Sequence, residues 1–164
     1  LKILKVNGTV SVLSCFTSAY SGTGSNDQGI TVTRKYFNAS TGKAGTTFSS
    51  NDLVKVEISY DIAGTAIDNT YEISDYAPAG LKPLENPWSY GFRNSMGCWY
   101  RQIDGQKVTF VVGKNLKDTE KKPLVYYARV ASPGEYTAEG TVAQGSIVKT
   151  SIVANENTKI VIKP

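Results

Sequence analysis

Asn69-Thr-Tyr-Glu-Ile-Ser-Asp-Tyr-Ala-Pro-Ala-Gly-Leu81 is the stretch on which the reading of this 164-residue chain turns. It begins as a strand and ends as a corner. Just before it, Val54, Val56, Ile58 and Tyr60 alternate with Lys55, Glu57 and Ser59, the two-residue period of a half-buried β-strand. After Ile73 and Asp75, Pro78 and Gly80 force the chain to turn. Proline fixes φ and lacks an amide donor, and glycine admits positive φ. A strand followed by such a corner belongs to all-β modules.

The same punctuation recurs on both sides. Residues 9–16 and Ile30 to Phe37 read as strands, the second with Ile30, Val32 and Arg34 alternating against Thr31, Thr33 and Lys35. Between them, Tyr20 to Gly29 is a Ser-, Gly- and Asn-rich connection and the best internal boundary. Asn38 to Asn51 is a second polar connection. Asn86 to Met96 reads as an irregular loop. Trp99 to Ile103 and Lys107 to Val112 flank Asp104-Gly105, a strong hairpin signal. Lys114 to Lys122 is the one candidate for a helical turn. Leu124 to Ala131 is a long apolar strand, Ser132-Pro133-Gly134-Glu135 reads as a type II turn, and Tyr136 to Ala143, Ile147 to Val153 and Lys159 to Ile162 complete the series. About eight or nine short strands with turns between them, and little or no helix, predict a two-layer antiparallel β-sandwich of the immunoglobulin-like kind.

Composition agrees. Ten Tyr, one Met, no His and abundant Thr, Val, Ser and Gly favour strands over helices. A chain of this size buries roughly 70% of the surface that its unfolded form exposes, enough for a core without staples. The net charge of +4 comes from scattered lysines, with Lys121-Lys122 the longest run. That is a solvated surface, so no nucleic-acid partner is expected. No apolar run is long enough to span a bilayer, so no membrane insertion is expected. The chain opens on Leu1 rather than Met and reads as a piece of a longer protein, monomeric by itself. Cys15 and Cys98 are the two cysteines. In an exported protein they would form a disulfide closing a long loop, stabilising by up to about 4–5 kcal/mol in the chain-entropy model. The other reading is two small buried apolar side chains.

Reactive groups are scarce. Without histidine there is no Ser–His or Cys–His couple and no imidazole-bound metal. Neither Cys15 nor Cys98 stands beside an obvious base or in a metal-ligand spacing, and no glycine-rich phosphate loop opens a helix. Asp68, Glu72 and Asp75 are near one another in sequence, yet Glu72 and Asp75 should point to opposite faces of a strand. They read as solvated strand-end charges rather than a sugar-cleaving pair. No enzyme activity, cofactor or metal is expected. Trp88, Tyr90, Trp99 and Tyr100 form the candidate interaction surface, with three readings open: a contact for a neighbouring domain, a sugar-stacking platform, or Trp99 in the core with Trp88 covering a loop.

Several segments then fall into a familiar order. Ile30-Thr-Val-Thr-Arg-Lys-Tyr-Phe37 precedes Asn51-Asp-Leu-Val-Lys-Val-Glu-Ile58. Ile73-Ser-Asp-Tyr-Ala-Pro-Ala-Gly-Leu81 and Asn86-Pro87 follow, then Val125-Tyr-Tyr-Ala-Arg-Val-Ala-Ser-Pro-Gly-Glu-Tyr136. From about Gly29 onward this resembles the C-terminal macroglobulin-like domain of bacterial alpha-2-macroglobulin family proteins, in which an Arg-x-Tyr strand, an Asp-x-x-Pro-Ala-Gly corner and a Tyr-x-x-Arg-x-x-x-Pro-Gly hairpin occur in this order. Asn51 stands where the family commonly has glycine, Lys82 where it commonly has glutamate, and 86–103 diverges. The resemblance implies that residues 29–164 are a macroglobulin-like sandwich and that residues 1–28 are the terminal strand or strands of a preceding module plus a linker. It also implies a parent that is an exported protease trap, located at the cell surface, in the periplasm or outside the cell. The trap's thioester needs a Cys-x-x-Gln pair, which Cys15-Phe-Thr-Ser and Cys98-Trp-Tyr-Arg do not supply. The expected role is therefore non-catalytic: packing on the other domains of the parent chain and meeting proteases only through it. The alternative is a cell-surface adhesion or carbohydrate-binding sandwich.

Overall fold

The computed structural model describes residues 29–66, 68–93, 98–114, 122–147 and 152–164. The strand expected over residues 9–16, Cys15 and most of the charged loop 114–122 lie outside them. Among the described residues, the first five strands in chain order are β1 (Ile30–Asn38), β2 (Thr47–Ser49), β3 (Leu53–Ile62), β4 (Thr70–Tyr76) and β5 (Leu81–Pro83). After them come β6 (Tyr100–Asp104), β7 (Lys107–Gly113), β8 (Leu124–Val130), β9 (Gly134–Ala138), β10 (Val142–Gly145), β11 (Ile152–Ala154) and β12 (Thr158–Lys163).

Two antiparallel sheets, ordered β1-β3-β8-β5 and β11-β10-β4-β7-β6, form the sandwich. A small third sheet, β2-β12-β9, adjoins them and contains one parallel pair, Thr47–Ser49 along Val161–Lys163. The alternation read from the sequence sets the inner faces. Val54, Val56 and Ile58 have no exposed surface, and β1 runs against β3 from Ile30↔Ile62 to Asn38↔Val54. From the other sheet, Tyr71, Ile73, Val108, Phe110 and Val112 are equally buried. Leu124, Tyr126 and Ala128 of β8 complete the layer, and Phe48, Ile160 and Ile162 of the third sheet join the same core.

The architecture is the expected all-β sandwich with more strands than the pattern announced. Two added ones, β2 and β5, span three residues each, too short for a two-residue period to register, and the single strand expected over Tyr136 to Ala143 divides into β9 and β10. The segment read as an irregular loop contains one turn of 3-10 helix, Pro87–Tyr90. Proline suits its first turn because that amide has no partner to lose.

The corner moves the chain from one sheet to the other: β4 belongs to the five-stranded sheet and β5 to the four-stranded one. Ala77–Gly80 crosses between them, closed by Leu81 N–H donating to Pro78 O at 2.8 Å. Gln106, in the β6–β7 hairpin turn, clamps it. Its side-chain amide donates to Pro78 O at 3.1 Å and Leu81 O at 2.9 Å, while its own carbonyl accepts from Ala77 N–H at 2.9 Å. Gly105 begins that two-residue turn at φ +58°, the positive value such hairpins require.

Two expected turn details differ. Gly80 is not among the positive-φ glycines. It is needed because a Cβ there would lie 2.2 Å from the Tyr136 ring. Likewise Gly134 has φ +148° and already belongs to β9, not the tighter value of a type II turn. The Tyr136 hydroxyl organises that turn instead, donating to Ser132 O at 3.2 Å and Pro133 O at 3.1 Å and pairing with Ser132 Oγ at 2.8 Å. Gly80→Ala is therefore expected to cost about 1–3 kcal/mol, the usual range for overpacking. In urea melts this penalty should largely vanish in a Tyr136→Ala background. A penalty of equal size in both backgrounds would place its cause elsewhere.

Candidate functional site

The inner face of β4 carries Tyr71, Ile73 and Asp75, and the inner face of β1 carries Ile30, Val32 and Arg34. Where the sheets meet, these positions bring two opposite charges together in the core. Arg34 Nη1 donates to Asp75 Oδ1 at 2.5 Å, and both side chains are fully buried. Thr141 Oγ1 donates to the same oxygen at 2.7 Å, and the Tyr126 hydroxyl donates to Oδ2 at 2.6 Å. Arg34 Nη2 reaches Ala138 O at 3.3 Å, and its guanidinium lies 5.1 Å from the centre of the Tyr36 ring. This one cluster links β1, β4, β8, β9 and the approach to β10.

The reading of Asp68, Glu72 and Asp75 as solvated strand-end charges needs correction. Asp75 is fully buried and Asp68 is 2% exposed. Only Glu72 faces outward, where it meets Lys107 at 3.5 Å. A carboxylate loses too much hydration on burial to stand without partners, and Asp75 has three. Three of the segments that carry the family resemblance meet at this point: Arg34 and Tyr36 from the first, Asp75 from the corner and Tyr126 from the hairpin. Sequence reasoning singled out only Asp75 of this cluster, and as a solvated charge; Thr141, with no exposed surface, lies in a connection with no period to reveal it.

Tyr126 and Tyr36 keep their protons well above the ordinary value of 10.0, first because burial disfavours the phenolate and next because Asp75 is negative. Unfolded tyrosines release theirs near pH 10. Above that pH the unfolded chain binds fewer protons than the folded one, so stability falls as pH rises. Urea melts are expected to be insensitive to these groups below about pH 9 and to lose stability steadily above about pH 10, with a shallower fall in Tyr126→Phe. No loss of stability above about pH 10 would contradict the protonated burial of the pair.

Trp88, Tyr90 and Trp99 lie on the surface. Trp88 is 70% exposed, Tyr90 51% and Trp99 58%, so the reading of Trp99 as a core residue does not hold. Their supports are fixed. Gly91, at φ +80°, ends the 3-10 turn with its N–H on Trp88 O at 3.0 Å. Phe92 stacks on Tyr127 with ring centres 4.7 Å apart, and Leu84 N–H donates to Tyr127 O at 2.8 Å. Arg101 Nη2 donates to Glu85 O at 3.1 Å and so ties the loop to β6. Trp99 is held by its N–H on Val111 O at 2.9 Å, and its ring lies so close to Gly113 that a Cβ there would be 2.2 Å away. Tyr100 opens β6 opposite Val111. Cys98 is half-buried and packs against the core; its expected partner Cys15 lies outside the described residues.

No family model matches the chain, and no curated protein matches its sequence. Solved structures do match. The native alpha-2-macroglobulin of Escherichia coli, spanning domain MG7 to the C-terminus, superposes on 83% of this chain with a TM-score of 0.66 at 16% identity. The fold is that of a module of bacterial alpha-2-macroglobulin. Salmonella alpha-2-macroglobulin reacted with methylamine matches with a TM-score of 0.60 at 16% identity, and the Escherichia coli protein activated by porcine elastase with 0.61 at 18%. Each superposes on 83% of this chain, which in turn spans only 24%, 9% and 13% of the three matched chains in the order given. The macroglobulin-type fold thus accounts for the two sheets and the corner. Among the described residues no helix is long and apolar enough to cross a membrane, and no group of three or more His, Cys, Asp or Glu could hold a metal.

Proposed function

We propose that this chain is a non-catalytic β-sandwich module of a larger exported protease trap of the alpha-2-macroglobulin kind, corresponding to its C-terminal macroglobulin-like domain. The observation that carries the reading is the superposition of 83% of the chain on a segment of the Escherichia coli protein running from MG7 to the C-terminus. Two of the matched proteins are described as activated by trypsin and by porcine elastase; their response to a protease is what this chain would serve. Its contribution is mechanical. The buried charge network holds the sheets in one relative position, and the exposed Trp88, Tyr90 and Trp99 form the face offered to a neighbouring module. Exposed aromatics on a rigid support suit such contacts, since they bury large area with little entropy to lose. In this reading residues 1–28 end the preceding module, and Cys15 and Cys98 are joined.

The chain alone, incubated with trypsin or elastase, should leave their activity on a protein substrate unchanged. The parent lacking residues 29–164 should lose trapping, and Trp88→Ala in the parent should weaken it without unfolding this module. Undiminished trapping by the truncated parent would overturn the assignment. Equal masses for the intact chain with and without reductant after thiol alkylation would overturn the disulfide.

A further inference from the structure

A groove of about 490 Å³ crosses the outer face of the five-stranded sheet, far in character from the aromatic loop. We infer that it is a binding site for a neutral saccharide, a reading independent of the trap. Its volume falls in the range of small-molecule sites, about 300–1,000 Å³.

Glu72, Ser74 and Tyr76 of β4 and Gln144 of β10 line it. Both strands are interior to the sheet, β10 between β11 and β4, and β4 between β10 and β7. Their backbone groups are used in the ladders, so a peptide cannot be recognised here by strand addition. Side chains must do the recognising. Asn155 and Asn157 stand over the groove. Asn155 Oδ1 accepts from Thr141 N–H at 2.6 Å, and Asn157 Oδ1 accepts from Gly140 N–H at 3.0 Å. With both oxygens committed, each side chain has its NH₂ left to donate. Thr141 is itself anchored to buried Asp75, so the wall is fixed before any ligand arrives.

The charges select the ligand class. The lining holds two carboxylates, Glu72 and Glu139, and a single ammonium, Lys107, which lies 3.5 Å from Glu72. That balance repels anions, and two carboxylates are too few for a metal cage. What remains is an even set of donors and acceptors beside the Tyr76 ring, which is 40% exposed. Hydroxyl groups on a ring with an apolar face are the complement of that set.

Amide chemical shifts of the chain, followed by NMR during titration with cellobiose, maltose and N,N′-diacetylchitobiose at millimolar concentrations, test this. At least one sugar should shift amides within 72–76, 139–144 and 154–157. Glu72→Gln and Tyr76→Ala should each weaken that binding roughly tenfold, the effect of one lost hydrogen bond to a charged group or one stacking face. Trp88→Ala should leave it unchanged. No shifts with any of the three sugars, shifts centred on Trp88 and Trp99, or undiminished binding by both groove variants in their folded form would overturn the proposal.

Discussion

Asp75→Ala is expected to remove about 3–5 kcal/mol of folding stability, because it leaves a buried charge without its partner. The Arg34 side chain has no solvent exposure, and its one other acceptor among the described residues is Ala138 O at 3.3 Å. The Tyr126 and Thr141 hydroxyls lose their acceptor at the same time. Against a typical domain stability of about 5–15 kcal/mol, such a loss should produce a chain partly unfolded at physiological temperature. Urea unfolding followed by far-ultraviolet circular dichroism measures it. Asp75→Asn keeps the shape and an acceptor and should fall between Asp75→Ala and the wild type. Arg34→Met combined with Asp75→Leu should recover part of the loss, since apolar packing replaces a buried pair at little cost. A loss below about 1 kcal/mol for Asp75→Ala would show that water reaches the pair and screens it.

Gly140→Ala is the second large effect. The Cβ it adds would lie 2.0 Å from the carbonyl oxygen of Asn155. That obstacle is backbone, held by Asn155 N–H on Thr141 O at 3.2 Å and by the two asparagine side chains. It cannot swing aside as a side chain would. A loss of about 3 kcal/mol, the upper end of the overpacking range, is expected. The displaced wall would carry Thr141 away from Asp75, so Gly140→Ala and Asp75→Ala should cost less together than the sum of their separate effects. Gly45→Ala is the control: nothing lies within 4 Å of its Cβ and its φ is not positive. That variant should match the wild type or gain a few tenths of a kcal/mol through the unfolded state. Equal destabilisation by both alanines would refute the collision as the cause.

Much of the sandwich is legible in the sequence because strands announce themselves locally. The alternations at Ile30–Asn38 and Leu53–Ile62, the Pro78–Gly80 corner and the Asp104-Gly105 hairpin each depend on a few neighbouring residues. Sheet order depends on pairs far apart, and nothing local specifies that Thr47–Ser49 runs parallel to Val161–Lys163. The buried network lies between these extremes. Counting in twos from Ile73 puts Asp75 on the inner face, and counting in twos from Val32 does the same for Arg34. Reading Asp75 as a solvated charge passed over that count, and only the assembled sheets show that the two opposite charges meet. The exposed tryptophans were hardest to place. Composition favours burying so large an apolar ring, and whether a given ring is covered depends on loops that have no period.

The parallel pairing of β2 with β12 has a consequence for how the chain acquires its shape during synthesis. Roughly a hundred residues must follow β2 before its partner leaves the ribosome, a long-range closure of the kind that slows folding. Until then Phe48, buried in the finished molecule, has no strand to shield it. Translation that stalls after β9 would leave a nearly assembled intermediate with a sticky flank, prone to aggregation and suited to chaperone capture.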